Sequence, residues 1–258
     1  MFNLIRMDIH RMFKARSFKV CLAFAFFFGF CRMPLAKLFS MLLRFLPASA
    51  SLEGLLPKSV TLTSILENPF PVVNSMLIMF SVCYFYYADI EHGFIKNIAG
   101  QVSKKGYTMI SRFIAVILHN LIFIAAGIIG NLIGNVIVLK VVADVGVPHA
   151  LGALCLRFLL LQGVCAILLF VTCALHSKTF GMVLAVVFGT GAMALIYMSI
   201  DTAVNMALKK VIAIEQYMPD QLMDAKAPPL IPGLPVAVVT IALFLFLAVH
   251  VFDRKEVR

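Results

Sequence analysis

Six apolar runs divide this chain, at residues 18–38, 71–87, 110–139, 151–175, 180–200 and 233–252, with polar interruptions between them. A helix crosses a 30 Å hydrocarbon layer with about 20 such residues, so each run has the scale of a membrane span. The second run is the shortest. The third is nearly unbroken and has to tilt or project beyond the bilayer. Arg32, Pro34 and Lys37 interrupt the first, which either leaves the hydrocarbon near Phe30 or snorkels those charges at the surface. The pattern predicts an all-α integral membrane fold with six transmembrane helices forming a single domain over residues 18–258.

Residues 1–17 follow a different rhythm. Phe2, Ile5, Ile9, Met12 and Phe13 recur at helical spacing, with Arg6, Asp8, His10 and Arg11 largely between them. This predicts an amphipathic helix lying in the inner interface before the first span. Ala48-Ser49-Ala50 has the form of a cleavage site but lies far from any compact apolar segment, so no processing is expected there.

Two segments between spans are long. Residues 39–70 contain Pro47, Pro57 and Pro69 and predict irregular structure with short helical pieces. Residues 201–232 predict a helical extracytoplasmic excursion in which Val204, Leu208, Val211, Ile212 and residues 214–217 share one face. Asp220 is expected there as an accessible position, and the breaker run A-P-P-L-I-P-G closes the excursion.

Composition agrees with a membrane protein. Hydrophobic residues make up 62%, charged residues 13%, and the mean hydropathy is +1.01, against about half and a quarter for soluble domains. The formal charge of +10 therefore reads as cytoplasmic loops facing anionic lipid, not as a nucleic-acid surface. Arg6, Arg11, Lys14, Arg16 and Lys19 precede or open the first span. Lys96, Lys104, Lys105 and Arg112 follow the second, Lys178 the fourth, and Arg254, Lys255 and Arg258 the sixth. This distribution places both termini in the cytoplasm of a multi-pass protein of the cell membrane. Cys21, Cys31, Cys83, Cys155, Cys165 and Cys173 form no C-x-x-C pair and read as apolar packing residues.

The chain lacks the sequence signs of a membrane enzyme. No Asp or Glu interrupts a span interior, the six histidines are scattered, and H-E-x-x-H and G-x-S-x-G are absent. The polar residues at membrane depth are His119, Asn120, Asn131, Asn135 and Gln162. Asn131 and Asn135 share a helical face with Gly127, Gly130 and Gly134. That stripe serves either close helix packing or a polar pathway, and packing is the better supported use. Gly189-Thr190-Gly191 reads as packing or a local bend. A phosphate-binding G-x-x-x-x-G-K-[ST] is absent, so any ATP would be bound by another polypeptide.

Between the second and third spans stands A-D-I-E-H-G-F-I-K-N, followed by Lys104, Lys105, Tyr107 and Ser111-Arg112. The order of Asp89, Glu91, Gly93, Phe94, Ile95, Lys96 and Asn97, then Lys104, Tyr107, Ser111 and Arg112, resembles the permease subunits of type-2 ABC exporters. Those carry two acidic residues, Gly, Ile and Lys-Asn, then a basic pair, an aromatic and Ser-Lys entering the third span. Phe94 stands where the family often has Thr, Asp89 where it has Glu, and Arg112 where it has Lys. The resemblance implies that 88–109 is a cytoplasmic coupling loop on which ABC ATPase subunits dock. It also implies a second permease half, with ATP and Mg bound by the ATPase and no cofactor on this chain. It further implies a transport route lined mainly by the second and fifth spans of the two halves. Short permeases of this kind resemble those exporting antimicrobial peptides such as lantibiotics, or other amphipathic compounds. On the residues alone, charges and Phe94-Ile95 suit a docking element, and Gly93 permits a turn. A non-transport scaffold or sensor recruiting a cytoplasmic partner through the same loop is the alternative.

Overall fold

The computed structural model describes residues 2–43, 59–67, 72–91, 106–142, 146–175, 177–208, 213–225 and 228–254. Nearly all of these are helical, as an apolar surrounding requires, because only a helix satisfies its backbone groups within one segment. The chain is an all-α membrane protein. Its helices are α1 (Phe2–Lys14), α2 (Arg16–Leu43), α3 (Leu62–Glu67), α4 (Val72–Glu91), α5 (Tyr107–Val138), α6 (Val147–Leu175), α7 (Lys178–Gly189), α8 (Met193–Leu208), α9 (Pro219–Asp224) and α10 (Leu230–Arg254). Two strands, β1 (Ser59–Thr61) and β2 (Lys140–Val142), pair in parallel with Val60 opposite Val141. This small ribbon is an addition to the helical architecture expected from sequence.

Among the described residues, four helices are long and apolar enough to cross a membrane: α2 over Arg16–Leu38, α5, α6 and α10. The apolar part of α4, Val73–Ala88, is shorter. The fifth predicted span departs from expectation. Instead of one helix over 180–200, α7 and α8 meet at an angle of 81°. The bend has a local cause. Thr190 Oγ1 donates to Val186 O at 2.8 Å, and the turn passes through Gly191 at φ +73°, a conformation that favours glycine. Gly189, two residues earlier, packs against α4 so closely that a Cβ there would lie 2.5 Å from Met76 Cα. Packing and bend therefore occur side by side. In the first span, the helix continues through Arg32, Pro34 and Lys37 to Leu43.

The core is built on α5 and α6. Leu160, Leu161, Val164, Leu168 and Leu169 of α6 are fully buried, together with Met109, Val116 and Phe123 of α5 and Ile78, Met79 and Val82 of α4. α2 and α10 flank this centre and turn Phe24, Phe27, Val238, Val239 and Phe246 outward. The glycine stripe of α5 packs against α2. A Cβ on Gly130 or Gly134 would collide with the carbonyl oxygen of Phe26 or Phe30, and one on Gly29 would come 2.6 Å from Gly127 O. Asn135 Nδ2 donates to Asn131 O at 2.7 Å and to Asn131 Oδ1 at 2.8 Å. Asn131 and Asn135 are both buried, with Asn135 Nδ2 bonded along α5 and Asn135 Oδ1 left without a hydrogen-bond partner among the described residues. Lipid tails are as apolar as the helices, so such close backbone contact supplies the attraction that water would otherwise enforce.

Gly134→Val should destabilise the α2–α5 pair by about 1–3 kcal/mol, the usual cost of overpacking. Thermal unfolding in detergent should show a lowered midpoint, and an unchanged midpoint would rule out the close contact.

Candidate functional site at the loop end of the bundle

The polar segment singled out by the sequence joins α4 to α5. Asp89 and Glu91 occupy the last turn of α4, and Tyr107 is the first residue of α5, where it is exposed. Gly93, Phe94, Ile95, Lys96, Asn97 and Lys104 lie outside the described residues, as does most of the 88–109 loop. The structure does describe the base on which that loop stands.

Three fastenings hold the start of α5. Gly106 N–H donates to Asp253 Oδ1 of α10 at 2.6 Å. A carboxylate from another helix thereby occupies the N-terminus of α5, where unpaired N–H groups and the helix dipole favour negative charge. Glycine suits the contact, because a Cβ on Gly106 would lie 2.6 Å from the Val249 side chain at Cγ1. One turn later Ser111 Oγ donates to Asp8 Oδ2 of α1 at 2.5 Å, and both residues are buried. Arg11 lies 3.8 Å from the other oxygen of Asp8. Arg112, only 1% exposed, sets a buried guanidinium in the same turn as Ser111. Finally, Cys173 of α6 meets Met109 at 3.3 Å between sulfurs.

The same end of α4 is braced from α7. Lys178 Nζ sits 4.6 Å from the ring centre of Tyr84 and 5.8 Å from that of Tyr87. Cys83 Sγ donates to Gly181 O at 3.3 Å. Both helices that carry the loop are therefore held within a turn or two of its attachment points.

Deeper in the bundle, the sequence-predicted polar residues His119, Asn120 and Gln162 are brought together. Ser81 Oγ of α4 and His119 Nε2 are 3.0 Å apart, and His119 Nδ1 lies 3.0 Å from Asn120 Oδ1. Asn120 Nδ2 donates to Gln162 Oε1 at 3.2 Å and to Cys165 Sγ at 3.3 Å. Phe123 stacks on the imidazole at 4.3 Å, and Phe18 meets it edge-on at 5.4 Å. Ser81, His119 and Asn120 have the order of a nucleophile, base and orienting group. However, Ser81 is 3% exposed and the two phenyl rings cover the imidazole, so no substrate reaches the hydroxyl. The chemistry open to this set is interhelical hydrogen bonding among α4, α5 and α6.

The opposite end is organised by residues the sequence reading passed over. Arg157, the one cationic residue of the 151–175 run, is buried. Its Nε donates to Met223 O at 3.2 Å and its Nη2 to Ala225 O at 2.7 Å, capping α9. The signal was available, since a charge inside an apolar span needs a partner. Asp201 accepts from the backbone N–H groups of Ile214 at 2.9 Å and Glu215 at 3.1 Å, closing a 3₁₀ turn at Glu215–Tyr217. The expected amphipathic helix through residue 217 is consequently divided: α8 ends at Leu208 and a separate turn follows. Asp220, expected to be accessible, is buried instead. It accepts from Tyr197 Oη at 3.2 Å and from Gln221 Nε2 at 3.0 Å. Burial pushes its carboxyl above the ordinary range, and burial with the charge of Asp220 does the same for Asp224, against the pull of Arg157. Tyr217 is the exposed neighbour.

Comparison with models of known protein families finds no match, and comparison with curated proteins finds none either. Among the described residues, no group of three or more His, Cys, Asp or Glu side chains could hold a metal ion.

Proposed function

We propose that this chain is the permease half of an ATP-driven exporter. The observation that carries this reading is the residue order of the 88–112 segment, with Asp89, Glu91, Gly93, Ile95, Lys96 and Asn97 followed by Lys104, Tyr107, Ser111 and Arg112. A loop that receives force from an ATPase needs a rigid base. The bonds from Gly106 to Asp253 and from Ser111 to Asp8 support that role, since they tie the loop's exit to both terminal helices. Separate ATPase subunits bind ATP and Mg and dock on the loop. A second permease half, identical or related, completes the transport route. The cargo is amphipathic, with antimicrobial peptides or drugs as the favoured class.

In this reading α2, α4, α5, α6, the bent α7–α8 pair and α10 make six passes of the cell membrane. Both termini are cytoplasmic, and α9 lies outside. Positive charge supports the orientation, because Arg6, Lys14, Arg16, Lys178 and Arg254 gather at the loop end.

Charge reversal by Glu91→Lys or Lys96→Glu should leave insertion unchanged, because both residues flank the hydrocarbon. It should weaken ATPase co-purification about tenfold, or ~1.4 kcal/mol, and reduce export in parallel. Wild-type ATPase recovery and export in both variants would refute the coupling role. If the intact protein brings down no P-loop ATPase, the scaffold or sensor reading replaces the transporter.

Orientation has its own test. A single cysteine at position 217, which is 51% exposed as tyrosine, should react with an impermeant maleimide on intact cells in an otherwise cysteine-free background. Labelling only after lysis would invert the topology.

A further inference from the structure

The outward face of α1 is basic and aromatic, without an acidic residue. Phe2, Asn3, Arg6, His10, Phe13 and Lys14 are exposed, and Arg16 and Lys19 continue the positive charge onto α2. At 100° per residue, Phe2 and Phe13 fall beside the half-buried Ile5 and Ile9. Arg6, His10 and Lys14 occupy the adjoining strip. Asp8, the one acidic side chain of α1, is turned inward to Ser111 and Arg11. Among the described residues, Arg6, Lys14, Arg16 and Lys19 make no ion pair.

We propose that this face binds the phosphate headgroups of anionic phospholipids in the leaflet at the loop end. Phe2 is 86% exposed, which suits an aromatic ring placed among acyl chains and is costly in water. The neighbouring Arg and Lys side chains extend their charged ends to the phosphate level above it. The helix meets the lipid already positioned, because Asp8 and Met12 lock its inner face against α5. A soluble acidic protein would satisfy the charge but leave Phe2 and the Ile5–Ile9 edge facing water, so lipid is the occupant the two-part face selects. The proposal concerns lipid binding alone and does not depend on the transporter reading.

The full-length protein, reconstituted into nanodiscs of mixed phosphatidylcholine and phosphatidylglycerol, should retain phosphatidylglycerol above its bulk proportion when released for native mass spectrometry. Each basic residue near an anionic surface is worth about fivefold in association at low ionic strength. The triple variant Arg6→Gln, Lys14→Gln, Arg16→Gln should therefore lose at least about fivefold of that enrichment. Arg254→Gln, at the same end but off α1, should keep it. Raising the salt concentration on the unaltered protein should lower the enrichment, a readout independent of any variant's folding. Enrichment that ignores salt, survives the triple change or falls equally with Arg254→Gln would overturn the assignment.

Discussion

A helix in lipid gains nothing by hiding apolar surface from its surroundings, and the packing around α5 answers that constraint. Gly29 of α2 and Gly130 and Gly134 of α5 let the two backbones approach at distances no side chain would allow, adding dispersion contacts over several turns. Hydrogen bonds add further attachments, part-buried at the N-terminus of α5 and buried along its length. Asp253 meets its N-terminus, Asp8 its first turn, Ser81 and Gln162 its middle. α1, α4 and α6 are fastened to it directly, while α10 packs chiefly along α6 and α7 along α4. α4 and α6 are joined through the His119–Asn120 pair, α10 through Gly106, and α1 through Ser111.

Much of this was legible in the sequence, for a physical reason. Apolar runs of the length of a bilayer mark helices whatever their neighbours are, so α2, α5, α6 and α10 follow from composition alone. The glycines of the α5 stripe are legible as a packing surface, because small residues on one helical face form a groove that another backbone can fill. The bend between α7 and α8 was half legible. Gly189-Thr190-Gly191 marked a break, but hydropathy does not sense direction, and the run reads as one continuous span. Asp220 reads as accessible from sequence, and Asp201 carries no signal, because a charged residue in a connecting segment is normally solvated. Here a turn folds back over them, and Tyr197 and the backbone of Ile214 and Glu215 replace the water. Arg157 escaped notice for the converse reason, since one charge barely alters the hydropathy of a long run.

The two ends of the bundle are built differently. At the excursion end, buried ionisable groups hold short segments against the spans: Arg157 caps α9, and Asp201 ties the 3₁₀ turn to α8. At the loop end, the carboxylates of Asp8 and Asp253 tie α1 and α10 to the start of α5. On the proposed reading, force applied to the 88–109 segment would reach α1, α5 and α10 together. In the proposed lipid contact, the exposed face of α1 would at the same time rest on the headgroup layer. Asp8 is turned inward, which leaves the outer face of α1 without an acidic residue while fastening the inner one.

That fastening is the central claim, and a double-mutant cycle on Asp8 and Ser111 tests it most directly. Unfolding free energies would be measured in mixed micelles for the unaltered protein, Asp8→Asn, Ser111→Ala and the double variant. A buried, charge-assisted hydrogen bond predicts a coupling energy of about 1–3 kcal/mol, with the double variant little worse than the more damaging single one. Additive losses from the two substitutions would contradict the account, because α1 would then rest on the bundle without being bound to it.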